Sequence, residues 1–419
     1  MKNGSAAALP HNAAFRQVKK DEPVSTDSHK RPATRRVGGF YLKRRVPLAY
    51  SALDLGTNNC RLLIAEPDAN GFRVIDAFSR IVCLGQGISQ TQCISEEAIE
   101  RTLEALAVCR SKIQAQKASK VRLVATEACR MARNGKEFVA RVRKEVGLNL
   151  EIISQRTEAR LATAGCASLV DPNARSVIIF DIGGGSTEIT WLKGRIASLN
   201  QDPCHLIRAW DSLPVGVVPL AERYADKALN GNVFEDMVQD VMLLLQPFTR
   251  MARQAMTGRN VHLLGASGTV TTIGGIFLDL PRYNRMRVDG MWMKQADVSR
   301  VIDRLSRMSF EERMAHRCIG PERAELVVAG CAILEAIRRV FPCERLRVAD
   351  RGLREGILMN MMRKDRVWDR HKAYSSKAGR ADKSDRQKQN GRQPQSQTNS
   401  QVNQKSHSVL TALAPASVK

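Results

Sequence analysis

Aromatic residues make up only 5% of this 419-residue chain. The aromatic-interleaved basic surface that stacks single-stranded nucleic acid is missing, as is any recognisable nucleic-acid motif. No run of about 18 apolar residues occurs, so no membrane-spanning helix is expected. Residues 1–10 hold only a short Ala-Ala-Ala-Leu run, too little for the apolar core of a secretory signal. The ten cysteines are scattered, with no C-x-x-C and no His at zinc spacing. They read as reduced, mostly buried thiols of a cytoplasmic protein. There is no G-x-x-x-x-G-K-[ST], no G-x-G-x-x-G after a strand and no G-x-S-x-G elbow. Walker-type nucleotide sites, dinucleotide sites and serine hydrolases are thereby disfavoured.

Acidic residues are also scarce, 42 against 66 Lys and Arg, for a net charge of +24. Such a balance asks for an anionic partner. Residues 1–47 contribute +8 and residues 369–419 contribute +7, which leaves +9 for the chain between them. Both ends lack apolar periodicity and cannot bury enough surface to offset chain entropy, so 1–47 and 367–419 are expected to be disordered basic tails. Clusters such as Lys43-Arg44-Arg45 can attract phosphates without folding.

Between the tails the sequence alternates strands and helices, the pattern of a layered α/β fold. Leu48–Leu53 runs into the polar turn Asp54-Leu55-Gly56-Thr57-Asn58-Asn59, and a second strand follows at 60–65. A strand is expected at 72–78, a helix from Ser95 to about Gln116, a strand at 121–126, and a helix over 134–146. A short strand at 150–153 and a helix from Thr157 to about Leu169 complete the first block, 48–170. The second block, 171–366, repeats the plan. The apolar strand 176–180 ends at Asp181-Ile182-Gly183-Gly184-Gly185-Ser186-Thr187-Glu188, and a strand resumes at 189–192. Helices around 233–256, 295–307, 321–340 and 354–363, with strands at 260–264 and 345–349, fill the rest. A repeat of this kind implies two similar domains facing each other.

Turns of this composition carry chemistry. A strand ending in Asp-x-Gly, followed by Gly, Ser, Thr or Asn, offers backbone N–H groups and hydroxyls on one concave surface that suits phosphate oxygens. A single tight Gly hairpin can be purely structural; two, each opening with Asp at a strand end, are harder to explain that way. Asp181 and Glu188 flank the second turn and can hold a hard divalent cation. A third Gly-rich turn is Gly265-Ala266-Ser267-Gly268-Thr269. Glu158, at a helix start between the blocks, can deprotonate a water, or can simply satisfy the helix dipole. Arg130, after the 121–126 strand, can clamp a phosphate or lie on the surface.

Taken in order, Asp54-Leu55-Gly56-Thr57-Asn58, Ala125-Thr126-Glu127-Ala128-Cys129-Arg130, Glu158-Ala159-Arg160-Leu161, Asp181 to Glu188, Gly265 to Thr269 and Leu353-Arg354-Glu355-Gly356 resemble the exopolyphosphatase / guanosine pentaphosphate phosphatase (Ppx/GppA) family over about 48–365. The resemblance implies an actin-like, sugar-kinase-like fold of two ribonuclease-H-like domains with the active site in the cleft between them. It implies Mg²⁺-dependent release of terminal phosphate from inorganic polyphosphate, or of the 5′-γ-phosphate of pppGpp, by a homodimeric protein. By motif, Glu158 matches the catalytic base and Arg130 the phosphate-contacting arginine. Asp181 and Glu188 match the acidic pair around the metal. The phosphate loops match Asp54, Gly56, Thr57 and Asn58, then Gly183, Gly184, Gly185, Ser186 and Thr187, then Gly265, Ser267, Gly268 and Thr269. The chain departs from the pattern at Gln155-Arg156-Thr157, where the family often has Gly and an extra Glu; the lost carboxylate and added cation are expected to alter the base. It also departs at Asn59 and at Asp350-Arg351-Gly352, and with no further domain after about 366 it resembles the short form. A non-catalytic polyphosphate- or alarmone-binding protein and an ATP-using member of the same fold are the alternatives.

Overall fold

The structure is a computed structural model that describes residues 48–369 apart from 70, 197–200, 226, 228–230 and 256–259. The basic ends 1–47 and 370–419 lie outside the described residues.

Apolar runs buried on both faces make the central strands. β1 (Tyr50–Leu55) and β6 (Ser176–Ile182) are buried almost throughout, as a strand covered on both sides must be. β1 pairs antiparallel with β2 (Asn59–Asp68), which pairs antiparallel with β3 (Gly71–Ile81). On its other side β1 runs parallel to β4 (Lys120–Ala125), and β4 parallel to β5 (Leu150–Ile152). The first sheet therefore has the order β3-β2-β1-β4-β5.

The second sheet copies it. β6 pairs antiparallel with β7 (Thr187–Lys193), and β7 with β8 (Ile207–Leu213). Parallel to β6 lies β9 (Val261–Ala266), and parallel to β9 lies β11 (Arg345–Ala349). A short antiparallel strand, β10 (Trp292–Lys294), is added at the β11 edge. The order β8-β7-β6-β9-β11 matches β3-β2-β1-β4-β5 in sequence and sense. The repeat read from two turns thus extends to five strands, and the architecture is the actin-like α/β fold.

Helices cover the sheets where side-chain caps start them. Ser95 accepts the Ala98 amide and opens Glu96–Ala115. Ser154 accepts the Thr157 amide and opens Gln155–Cys166, two residues before the start expected from sequence, and a 3₁₀ turn over Ala167–Leu169 follows it. The expected 321–340 helix is two pieces, Pro321–Ala324 and Val327–Val340. The helix Gln155–Cys166 leads from the first sheet to the second, and Leu353–Lys364 returns: its Leu353, Ile357, Leu358 and Met362 share a core with Tyr50, Ala52 and Leu63 of the first sheet. The two helices cross at glycines. A Cβ on Gly356 would stand 1.8 Å from the Leu161 carbonyl oxygen, and one on Gly165 1.9 Å from that of Gly352. The sequence reading ends the ordered part at 366, but Val367 and Trp368 are buried, and the Trp368 indole donates to the carbonyls of Asp68 and Gly71 at 2.9 and 3.1 Å. An indole at the chain's exit gains both apolar area and hydrogen bonds there.

Candidate active site

In an open sheet with parallel central strands, ligands sit outside the carboxyl ends of those strands. Here the ends of β1, β4, β6 and β9 deliver Asp54 to Asn59, Thr126 and Glu127, Asp181 to Ser186, and Ser267 to Thr269 around one cavity of about 130 Å³. Glu158, in the first turn of its helix, enters the same cavity.

The first loop is pinned from behind. Gly85 N donates to Thr57 O at 2.8 Å, and Val82 N and Cys83 N donate to Asn58 O at 2.9 and 3.2 Å. The second loop is tied to the helix Val217–Arg223: Val217 N and Val218 N donate to the carbonyls of Gly183 and Gly184 at 3.0 and 2.9 Å. The two loops meet face to face. A Cβ on Gly184 would lie 3.1 Å from Asn58 N, and one on Gly185 2.6 Å from Thr57 Oγ1. Glycine suits 184 because the Asn58 backbone passes there, and 185 because the Thr57 and Glu127 side chains do. The third loop is not a free turn. Ser267 caps the helix Gly268–Phe277 by accepting the Val270 amide at 3.1 Å, so a helix N-terminus points at the cavity. Such an end favours an anion.

Fourteen of the seventeen expected site residues line this cavity; Arg130, Thr187 and Gly265 do not. The Thr187 hydroxyl faces away and donates to Val215 O at 2.7 Å. Gly265 sits in the core, where a Cβ would come 2.6 Å from the Phe180 ring. These two are structural residues of the loops rather than part of the cavity wall. Arg130 lies behind the wall. Its Nε and Nη2 donate to Glu127 Oε2 at 2.9 and 2.5 Å, and its Nη1 donates to Glu158 Oε2 at 2.6 Å and to Ile153 O at 2.9 Å.

Asp181 and Glu188 are direct cross-strand partners in the β6–β7 ladder. Like charges opposite one another on a sheet repel. Burial, then Glu188 and Asp54, push the Asp181 carboxyl up to about 8. Burial also raises Glu188, although Ser186 and Ser212 hydroxyls donate to it at 2.7 and 3.0 Å. Burial first and Glu188 second push Glu158 well above the usual carboxylate range, with Arg130 opposing. Burial raises Asp54 against the pull of Arg61 and Arg354. An ionised Asp54 meets a phosphate oxygen only through a proton, a water or a cation. The cavity is thus short of positive charge, which is the donor chemistry a hard cation answers. Among the described residues no three acidic, His or Cys side chains converge as a closed metal cage.

Gln155-Arg156-Thr157 form the first turn of the helix that carries Glu158. Arg156 is exposed, and the charges that shift Glu158 are Glu188, Arg130 and Asp54. Thr157 stands at the third helical position, its hydroxyl 3.0 Å from Ser154 Oγ, so it serves the cap. Sequence reading missed Arg61, Glu127 and Arg323, which all line the cavity. Arg61 had a signal: it opposes Asp54 in the first hairpin as Glu188 opposes Asp181 in the second, with the same offset of 127 residues.

The sequence model of the Ppx/GppA phosphatase family matches residues 63–365. Among solved structures, a Ppx/GppA family member from Aquifex aeolicus is 28% identical, covering 76% of this chain and 98% of its own, with a TM-score of 0.64. An exopolyphosphatase from Cytophaga hutchinsonii, 24% identical over 75% of this chain and 97% of its own, has a TM-score of 0.67 and shares the fold.

Proposed function

The chain belongs to the Ppx/GppA phosphatase family, and on that premise we propose that it hydrolyses a terminal phosphoanhydride, releasing phosphate from inorganic polyphosphate or the 5′-γ-phosphate from pppGpp. The observation that carries this reading is the placement of Glu158. A buried carboxylate, held by an arginine, shares a small cavity with two glycine loops and a helix N-terminus.

In this reading the loop amides of Thr57 and Asn58 and of Gly184 to Ser186, with the amino end of the Gly268–Phe277 helix, bind the equatorial oxygens of the terminal phosphoryl group, while the Gly56 and Gly183 amides close their own loops on Asn59 O and Ser186 O at 2.9 Å each. Arg61 and Arg323 offset its charge. Glu158 Oε1 is the oxygen left free of Arg130; it accepts a proton from a water aligned with the phosphorus, and the water oxygen bonds to phosphorus as the bridging P–O bond breaks. Asp181 and Glu188 are the residues that would hold Mg²⁺, which supplies neutralisation of phosphate charge when bound. The test is phosphate release, with Mg²⁺, from long-chain polyphosphate, short polyphosphate and pppGpp side by side. Turnover of at least one supports the reading, and folded protein that releases phosphate from none refutes it.

A further inference from the structure

Glu127 enters the cavity wall as an anion in a site for anions, which demands an explanation. It is 8% exposed, and it is not one of the residues that the family resemblance assigns a role. A buried carboxylate there repels substrate unless a cation claims it. Arg130 does: the guanidinium edge formed by Nε and Nη2 closes on Glu127 Oε2 at 2.9 and 2.5 Å. That grip leaves Nη1 to reach Glu158 Oε2 at 2.6 Å and Ile153 O at 2.9 Å. With one edge clamped and the third nitrogen doubly bonded, the planar guanidinium has a single orientation. The Glu127 side chain lies against Gly185 of the second phosphate loop, where a Cβ added at 185 would come within 3.1 Å of its Cγ.

We propose that Glu127 is a positioning residue: it fixes Arg130 so that Arg130 holds Oε2 of Glu158 and leaves the other carboxylate oxygen to face the water. Its catalytic consequence rests on Glu158 acting as the base, whereas its structural consequence, an immobilised Arg130, does not. Two variants separate acceptor from bulk. E127L removes the acceptor oxygen at similar volume, and E127Q keeps an oxygen in place without the charge.

The first readout is the Arg130 Nε–H signal in NMR spectra of the arginine-labelled chain, assigned by its absence in R130K. It should be slowly exchanging in the wild type, retained in E127Q and lost in E127L. An unchanged Arg130 signal in folded E127L overturns the proposal, even if the wild type turns over no substrate and the functional reading has failed separately. The second readout is kinetic. E127L should lower kcat at least about tenfold with KM changed much less, the loss of one charge-assisted contact, and E127Q should recover most of that loss. In an E158Q background E127L should cost nothing further, because the residue it acts through is already disabled. A loss in E127L that persists undiminished beside E158Q, or that falls on KM alone, overturns it.

Discussion

Burial and three charged neighbours, Glu188, Arg130 and Asp54, decide when Glu158 gains or loses its proton. Burial and Glu188 raise its carboxyl; Arg130 pulls it back. A base works only when deprotonated, so kcat/KM on a short polyphosphate should rise with pH through a midpoint above the ordinary carboxylate range. Removing the opposing cation in R130M should move that midpoint to still higher pH, and a midpoint that falls or stays would sink the assignment. E158Q should cut kcat by roughly 10²- to 10⁴-fold with little change in KM, measured by phosphate release. Glu158, Asp181 and Glu188 were legible in the sequence because each sits in a motif at a strand or helix end. Arg323 was not, since helix packing rather than spacing along the chain brings it to the cavity; the 127-residue offset between Arg61 and Glu188 gains its meaning only from strand register, and nothing in the motif around Glu127 marks its side chain as one that lines the cavity.

At the scale of elements, the crossing of Gln155–Cys166 with Leu353–Lys364 joins the base to the sheet architecture. Propensity alone favours Gly→Ala in a helix by about 1 kcal/mol. At Gly356 the added Cβ would stand 1.8 Å from a carbonyl oxygen of the partner helix. Backbone cannot yield as a side-chain tip can, so G356A should destabilise by roughly 1–3 kcal/mol, the usual range for overpacking, seen as a lower Tm. Since the other helix carries Glu158, kcat should fall too. A Tm at or above that of the wild type would show that the helices separate at no cost. Elements with caps or unbroken apolar runs were readable: Ser95 starts its helix where expected, and β6 contains its apolar run. In the sequence the helix Gly268–Phe277 reads only as a Gly-rich turn, because Gly-Thr-Val-Thr-Thr-Ile-Gly-Gly is poor in helix formers; it is helical through burial of residues 269–276. Its N-terminus turned out to be part of the site.

For the whole molecule, the duplicated five-strand order was foreshadowed by two turns, while the charge balance pointed only to some polyanion. The cavity shows the opposite local sign, and this has a consequence for stability. Asp181 titrates near 3.8 in an unfolded chain and near 8 in the native one. Between those values the native state holds a proton that the unfolded state has released. The contribution of Asp181 to stability is therefore complete below about pH 4 and is lost as pH rises toward 8. Raised carboxyls at Glu158, Glu188 and Asp54 act in the same direction. Without divalent cations, Tm should fall from pH 5 to pH 8. A cation that binds the ionised pair in the native state alone stabilises it by mass action, so Mg²⁺ should raise Tm most at pH 8 and least at pH 5. D181N should flatten the decline and abolish most of the Mg²⁺ gain. A thermal melt at pH 8 that Mg²⁺ leaves unmoved would remove Asp181 and Glu188 from the metal site, whatever the enzyme's activity.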